Sequence, residues 1–139
     1  DIMLELLDLK PGEVLLEPGS GDARNLIKAA QKYGCRGIGY EISPILVKES
    51  RQKIRAAGLE GKVEIIQGDY MEADFSVADG IFIYLYPKDL VRIEQKLYRE
   101  VKKPLRIVSN TFTFPNLKAS KVDKSTEYSI YYYEFNPVK

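Results

Sequence analysis

The chain of 139 residues contains no histidine and no tryptophan, and Cys35 is its only cysteine. Histidine is the side chain that most often serves as a general base and as a metal ligand near neutral pH, so its absence predicts no metal site. A single cysteine cannot form an internal disulfide, which favours a reducing compartment. We therefore expect a cytoplasmic protein whose chemistry uses neither a thiol–imidazole pair nor a bound metal.

Long apolar runs and a strong charge imbalance are also missing. No apolar run approaches the roughly 20 residues that a membrane span needs. The net charge is +1, which argues against a dedicated nucleic-acid or membrane-surface protein. Apolar residues make up 45% of the chain, enough for the core of one domain over residues 1–139, which we expect to be monomeric. An apolar helical pattern starts abruptly at Ile2, so we expect the N-terminal segment to be incomplete.

A glycine-containing turn between an apolar run and a helical pattern dominates the first third of the chain. The run 14–17 is typical of a buried parallel strand, and the segment 23–33 has helical periodicity. Gly19 and Gly21, with Ser20 between them, let the backbone pass close to a ligand. We expect Asp22 to cap the helix, whose first N–H groups are free to bind an anionic group.

Two kinds of ligand use such a turn. The dinucleotide pattern G-x-G-x-x-G requires glycine where this chain has Arg24, which we expect to crowd the contact between helix and strand. The other pattern, an acidic residue followed by x-G-x-G, is present as Glu17 to Gly21 and resembles motif I of the class I S-adenosylmethionine (SAM) methyltransferases. A carboxylate at Glu17, and also Asp22, favours a cationic ligand and repels a pyrophosphate. A simple pairing of Glu17 with Arg24 is the structural alternative.

Strands and helices alternate along the chain. Further strands are predicted at 36–41, 63–67, 80–85 and 105–109, and further helices begin at Pro44 and Pro87. This alternation predicts an α/β protein with a mostly parallel, Rossmann-like sheet. The last alternating segment, 128–135, has no helix before it and fits an antiparallel hairpin at the sheet edge.

Acidic residues end the second and third strands. Glu41 can accept hydrogen bonds from both hydroxyls of a ribose, with the apolar Ile42 lying against the adenine. In methyltransferases the acid at the position of Asp69 accepts from the adenine amino group, and the N–H of the next residue, here Tyr70, donates to the ring. A helix-terminal carboxylate and a turn aspartate remain the structural alternatives.

The segments 17–24, 39–42, 68–70 and 84–87 together resemble a compact class I methyltransferase. More narrowly, they are similar to the small archaeal broad-specificity protein-lysine methyltransferases and their mitochondrial lysine-methylating relatives. The resemblance covers about residues 4–135. Three features depart from the family pattern: Glu17 replaces aspartate, Ala23 replaces glycine, and no tryptophan follows the fifth strand.

The resemblance implies SAM as cofactor and an accessible lysine of a protein as methyl acceptor. Tyr84 and Tyr86 are the candidates for a slot that holds the lysine, and Asn110 is the candidate for its opposite wall. Both tyrosines read equally well as ordinary strand or rim aromatics. A small-molecule methyltransferase and a noncatalytic SAM-fold module are the competing functions.

Nucleic acid is not expected as a partner. Tyr131 to Tyr133, with nearby lysines, suggest base stacking, but a solvated edge hairpin explains them better. The run Tyr84-Leu85-Tyr86-Pro87 also lacks the Asn/Asp-Pro-Pro-aromatic motif of the nucleobase amino-methyltransferases. We expect no membrane partner either.

Overall fold

The computed structural model describes residues 1–137, which form four helices and seven strands. The helices are α1 (Ile2–Leu7), α2 (Arg24–Tyr33), α3 (Pro44–Ala56) and α4 (Pro87–Glu100), with short 3₁₀ turns at Tyr70–Glu72 and Phe75–Val77. The strands are β1 (Val14–Pro18), β2 (Arg36–Glu41), β3 (Val63–Gln67), β4 (Gly80–Ile83), β5 (Leu105–Asn110), β6 (Lys121–Asp123) and β7 (Ile130–Phe135).

All seven strands join one sheet in the order β3-β2-β1-β4-β5-β7-β6. The first five strands in this order pair in parallel, whereas β7 is antiparallel to both β5 and β6. The predicted α/β sheet with an antiparallel C-terminal hairpin is confirmed. The chain order reverses between β1 and β4, and in open α/β sheets ligands bind beyond the carboxyl ends of the strands at such a point.

The sheet is covered on both faces, because neighbouring residues of its inner strands point to opposite sides. Phe82, Val108 and Tyr132 pack with α1, α2 and α3 on one face. Their neighbours Ile81, Ile107 and Tyr133 pack with α4 on the other face. This three-layer arrangement leaves the carboxyl edge of the strands, rather than a sheet face, free for a ligand.

The fourth strand is two residues shorter than predicted. It ends at Ile83, so Tyr84 to Tyr86 form a loop instead of a strand end. Asp89, in the first turn of α4, accepts a hydrogen bond from the Tyr86 N–H at 3.2 Å. This bond and the following Pro87 turn the chain off the sheet and into the helix.

The predicted helix cap at Asp22 is also wrong by one residue. Ala23 occupies the N-cap position with φ +67°, in the left-handed region that favours glycine. The Asp22 carboxylate instead accepts from the backbone and side chain of Arg24 and from the side chain of Lys53. Glycine adopts this positive φ without strain, which explains why the methyltransferase pattern has glycine at position 23.

The C-terminal hairpin lies at the edge of the sheet as predicted, but two of its tyrosines are not solvated, because β7 lies between β5 and β6. Tyr132 and Tyr133 are only 6% and 1% exposed. The Tyr133 ring meets Phe114 edge-on with centroids 4.9 Å apart, and its hydroxyl oxygen accepts from the Phe114 N–H. These two side chains are therefore core residues and are not available to stack on bases.

Candidate functional site

The glycine loop between β1 and α2 is fixed from two sides. The Ser20 N–H donates to the Tyr40 carbonyl at 2.9 Å, and the Gly21 N–H donates to Glu41 Oε1 at 2.9 Å. The buried Ser50 hydroxyl, on α3, donates to the Gly21 carbonyl at 2.8 Å. The loop therefore lies against the carboxyl end of β2 and is held there by three hydrogen bonds.

This close approach of the loop to β2 also explains why β2 has glycine at position 39. A Cβ atom added at Gly39 would lie 2.6 Å from the Ser20 Cβ and 2.8 Å from the Ile65 Cδ1. Cβ atoms in proteins essentially never come this close to other atoms, so the loop reaches its position only because residue 39 has no side chain.

A cavity of about 350 Å³ opens between the glycine loop and the ends of β2 and β3. Five residues predicted to bind the cofactor line it: Gly19, Glu41, Ile42, Asp69 and Tyr70. The Ile42 side chain is 71% exposed and presents an apolar surface at the cavity. The structure thus brings together, at one sheet edge, side chains that are distant in sequence.

Glu41 is buried and both of its carboxylate oxygens are used. Oε1 accepts from the Gly21 N–H and Oε2 from the Ser43 N–H, each at 2.9 Å. Each carboxylate oxygen has a second acceptor position, so two ribose hydroxyls can still be bound. The structural alternative for Glu41 is therefore compatible with the predicted ligand-binding role.

Asp69 and Tyr70 begin the 3₁₀ turn after β3. Asp69 Oδ1 accepts from the Met71 N–H at 2.8 Å, the contact of a turn aspartate, and the residue is exposed. The Tyr70 hydroxyl donates to Asp89 Oδ1. Burial and the adjacent Asp89 carboxylate hold the pKa of Tyr70 above its usual value. Asp89 thus connects the cavity beside Glu41 to the loop before α4, where it also accepts from the Tyr86 N–H.

Glu17, at the carboxyl end of β1, is a buried acid with one free oxygen. Its side chain is 3% exposed, and Oε2 accepts from the Asn25 amide at 3.1 Å. Within residues 1–137, Oε1 has no hydrogen-bond partner, and neither has the buried Ser20 hydroxyl. Burial raises the pKa of Glu17 to about 8. A buried acceptor without a partner costs about 1–3 kcal/mol, a cost that a bound cation would remove.

Asp22 and Arg24 form a separate pair. Lys53 Nζ lies 2.8 Å and Arg24 Nη2 3.0 Å from Asp22 Oδ2. Hydrogen bonds from Arg24 and Lys53 hold the pKa of Asp22 well below its usual range. The Arg24 side chain is 75% exposed and pairs with Asp22, so the expected crowding by Arg24 is wrong and the alternative pairing of Glu17 with Arg24 is not formed. A role for Asp22 in binding the cofactor stays a prediction.

A second cavity, of about 540 Å³, lies at the same sheet edge next to β4 and β5. Tyr84 and Asn110, two of the three residues predicted for the acceptor slot, line it together with Asn25. Tyr84 is 62% exposed and is therefore not a core residue. Tyr86 is 68% exposed, lies outside the lining of this cavity and packs against Phe112 with ring centroids 6.3 Å apart.

Two residues with a role at this site were missed from the sequence. Asn25 lines the second cavity and donates to Glu17, and Asp89 joins Tyr70 to the loop before α4. Asn25 carried a weak signal, a polar residue in the first turn of a helix that follows a glycine loop. Asp89 carried a stronger signal. It lies three residues after Tyr86, the residue that precedes the helix-starting Pro87, and an acid at this position can cap the helix.

The sheet order, the glycine loop and the carboxylates at three strand ends define a SAM-dependent methyltransferase of class I. The fold matches the crystal structure of an RNA methyltransferase from Salinibacter ruber in complex with S-adenosyl-L-homocysteine, with a TM-score of 0.95 and 34% sequence identity. The match covers 100% of this chain and 91% of that chain. The chain belongs to the ANTKMT methyltransferase domain family, which it matches over residues 17–121.

Two curated relatives illustrate the family. A human lysine N-methyltransferase named for ATP synthase is 34% identical over 102 residues, which are 73% of this chain and 43% of the relative. A protein-lysine N-methyltransferase from Saccharolobus islandicus is 26% identical over 136 residues, covering 94% of this chain and 84% of the relative. The chain thus spans less than half the length of the human relative.

The residues present fit SAM. The free Glu17 oxygen suits the ammonium group of its methionine part, and the cavity beside Glu41 suits its nucleoside. Among residues 1–137, no group of acidic or cysteine side chains is placed to hold a metal ion. In the same range, no helix is both long and apolar enough to cross a membrane.

Proposed function

We propose that the chain transfers a methyl group from SAM to the ε-amine of a lysine side chain in a protein. The observation that carries the proposal is the second cavity. It lies at the same sheet edge as the cofactor cavity, is lined by Tyr84 and Asn110, and is joined to Glu17 through the Asn25 hydrogen bond. The names of the two relatives as lysine N-methyltransferases support the choice of acceptor.

In this proposal the cofactor lies across the glycine loop. Glu17 binds the ammonium group, Glu41 the ribose hydroxyls, and Asp69 with the Tyr70 N–H the adenine, against Ile42. The cofactor supplies a methyl group on a sulfonium sulfur, and that sulfur leaves as a neutral thioether without needing an acid. The chain therefore contributes mainly by positioning the two reactants for an in-line displacement.

The acceptor amine must be neutral before it reacts, although a free lysine has a pKa of about 10.4. Partial removal of water from the amine in the cavity beside Tyr84 lowers that pKa, because burial disfavours the charged form. The face of the Tyr84 ring attracts the ammonium that forms on methylation. The chain has no histidine, so in this proposal water takes the proton. Tyr86 is a candidate for the rim of the slot.

RNA is the second candidate acceptor, because the Salinibacter ruber protein with 34% identity is named an RNA methyltransferase. The two acceptors can be separated with radiolabelled SAM and a whole-cell extract, followed by digestion with protease or ribonuclease. We expect label that protease removes and ribonuclease does not, and mass spectrometry should locate it on lysine. Label removed only by ribonuclease would overturn the lysine proposal, and label on small molecules alone would favour a metabolic acceptor.

The slot itself is tested by replacing Tyr84. Tyr84→Ala should reduce methyl transfer at least tenfold and leave the SAM dissociation constant nearly unchanged, because other residues hold the cofactor. Tyr84→Phe should do less harm if the ring face is what matters. Tyr98→Ala, at a half-exposed tyrosine on α4 outside both cavities, is the matched control. Loss of SAM binding and of thermal stability together in Tyr84→Ala would make Tyr84 structural.

The molecule that performs this reaction is proposed to be monomeric and cytoplasmic. Light scattering of the purified chain and fractionation of the source cells test these two points.

A further inference from the structure

The residue directly after β5 has an unusual backbone. Thr111 has φ +74°, in the left-handed region, and it is neither glycine nor asparagine. A β-branched residue is a clear outlier there, because its Cβ substituents crowd the neighbouring peptide groups. The Phe112 N–H donates to the Asn110 carbonyl at 2.9 Å, so Thr111 is the central residue of a strained three-residue turn.

Contacts on both sides hold this turn in place. The Thr111 N–H donates to the Ser129 carbonyl, just before β7, at 2.8 Å. The buried Ser109 hydroxyl donates to the Phe112 carbonyl at 2.6 Å. Strained residues persist where the surrounding structure determines their conformation in this way, and they cluster at functional sites.

The strained residue controls one side chain of the second cavity. The Thr111 hydroxyl donates to Asn110 Oδ1 at 2.7 Å, which fixes the plane of the Asn110 amide. An amide oxygen has a second acceptor position, so Oδ1 can still accept from an N–H group in the cavity. Asn110 Nδ2 lies 3.8 Å from the Met3 sulfur on the other side.

We propose that Thr111 is a positioning residue whose strained turn and hydroxyl orient the Asn110 amide oxygen toward the acceptor amine. This inference rests on the proposed function, because it takes the second cavity as the acceptor site. The Asn110 oxygen accepts an N–H of the neutral amine and thereby directs the nitrogen lone pair at the methyl group. Strain that reduces stability is retained because a relaxed turn would leave the amide free to rotate.

Three substitutions separate the strain from the hydroxyl. Thr111→Gly removes both, and we expect its melting temperature to rise by about 2–4 °C, because glycine adopts this backbone angle without strain. At the same time kcat/KM for the protein that the radiolabelling experiment above identifies as acceptor should fall about tenfold, with the SAM dissociation constant unchanged. Thr111→Ser keeps the hydroxyl and should recover most of that loss. Thr111→Val loses the hydroxyl and keeps the branching, so kcat/KM should fall without a gain in stability.

A merely structural role would make activity and stability fall together in all three variants. The inference is overturned if Thr111→Gly retains full transfer, if it melts below the wild type, or if Thr111→Ser is as impaired as Thr111→Gly. A wild-type chain that methylates no protein lysine refutes the proposed function instead. An active wild type with an unimpaired Thr111→Gly refutes this inference alone.

Discussion

Replacing Glu17 by glutamine should stabilise the cofactor-free protein while weakening its affinity for SAM. Burial raises the pKa of Glu17 from 4.5 to about 8. In the unfolded chain the carboxyl ionises near its ordinary pKa, whereas in the folded chain it holds its proton until about pH 8. The folded state therefore loses stability as the pH rises from about 4.5 to about 8, by about 3 kcal/mol at pH 7.

Glutamine has nearly the same shape, stays neutral and can still accept from Asn25. Glu17→Gln should therefore raise the free energy of unfolding by about 3 kcal/mol at pH 7, or the melting temperature by roughly 10 °C. Denaturant unfolding from pH 4 to 9 tests this. The difference in free energy of unfolding between Glu17→Gln and the wild type should be near zero at pH 4.5, grow as the pH rises and level off near pH 8. Glu64→Gln, at an exposed acid on β3, is the control and should show no such profile.

SAM binding provides an independent measurement. A cation placed at the free oxygen favours the carboxylate, so binding at pH 7 should release close to one proton from Glu17. Calorimetry in buffers of different ionisation enthalpy measures this release, which the Gln variant should lack. That variant should also bind more weakly by about 1.5–3 kcal/mol. The role assigned to Glu17 is refuted if the difference in unfolding free energy between the variant and the wild type does not change with pH. It is also refuted if the wild type binds SAM without releasing a proton.

Other contacts lead to three more expected outcomes. Gly39→Ala should destabilise the fold by about 1–3 kcal/mol and weaken SAM binding, since the new methyl overlaps Ser20 and Ile65; unchanged melting and affinity would show that the loop can move aside. Lys96→Met should destabilise the fold by about 2–4 kcal/mol, because the buried ammonium donates to the carbonyls of Met71 and Ala73 and pairs with the partly buried Glu100. A variant as stable as the wild type in chemical denaturation would contradict this. At saturating SAM, methyl transfer should rise with pH between 7 and 9, since the proposed lysine acceptor must lose a proton and the chain has no histidine to take it; a flat profile of the chemical step would exclude an ordinary amine.

Much of this fold was readable from local sequence. The second and third strands begin and end where predicted, because turn residues bound them: Gly34 and Ser43-Pro44 lie on either side of the second strand, and Gly61 and Gly68 on either side of the third. Helix α3 begins at the predicted Ser43–Pro44 cap, in which the serine hydroxyl accepts from the Leu46 N–H. The glycine loop and the acids at the strand ends predicted the edge of the sheet at which they meet for the same reason: their spacing along the chain reflects the repeating strand–helix unit.

Tertiary contacts decided the rest, because the partners come from distant parts of the chain. The burial of Tyr133 depends on the place of β7 inside the sheet, which alternation in one strand does not reveal. The placement of Tyr84 in the second cavity and of Tyr86 beside Phe112 depends on where β4 ends, which Asp89 controls from α4. The free oxygen and raised pKa of Glu17 exist because Asn25 meets only one side of a carboxyl that the packed layers bury. Sequence spacing determined which groups gather at this edge of the sheet, whereas packing across the layers determined which of them keep an open hydrogen-bonding position.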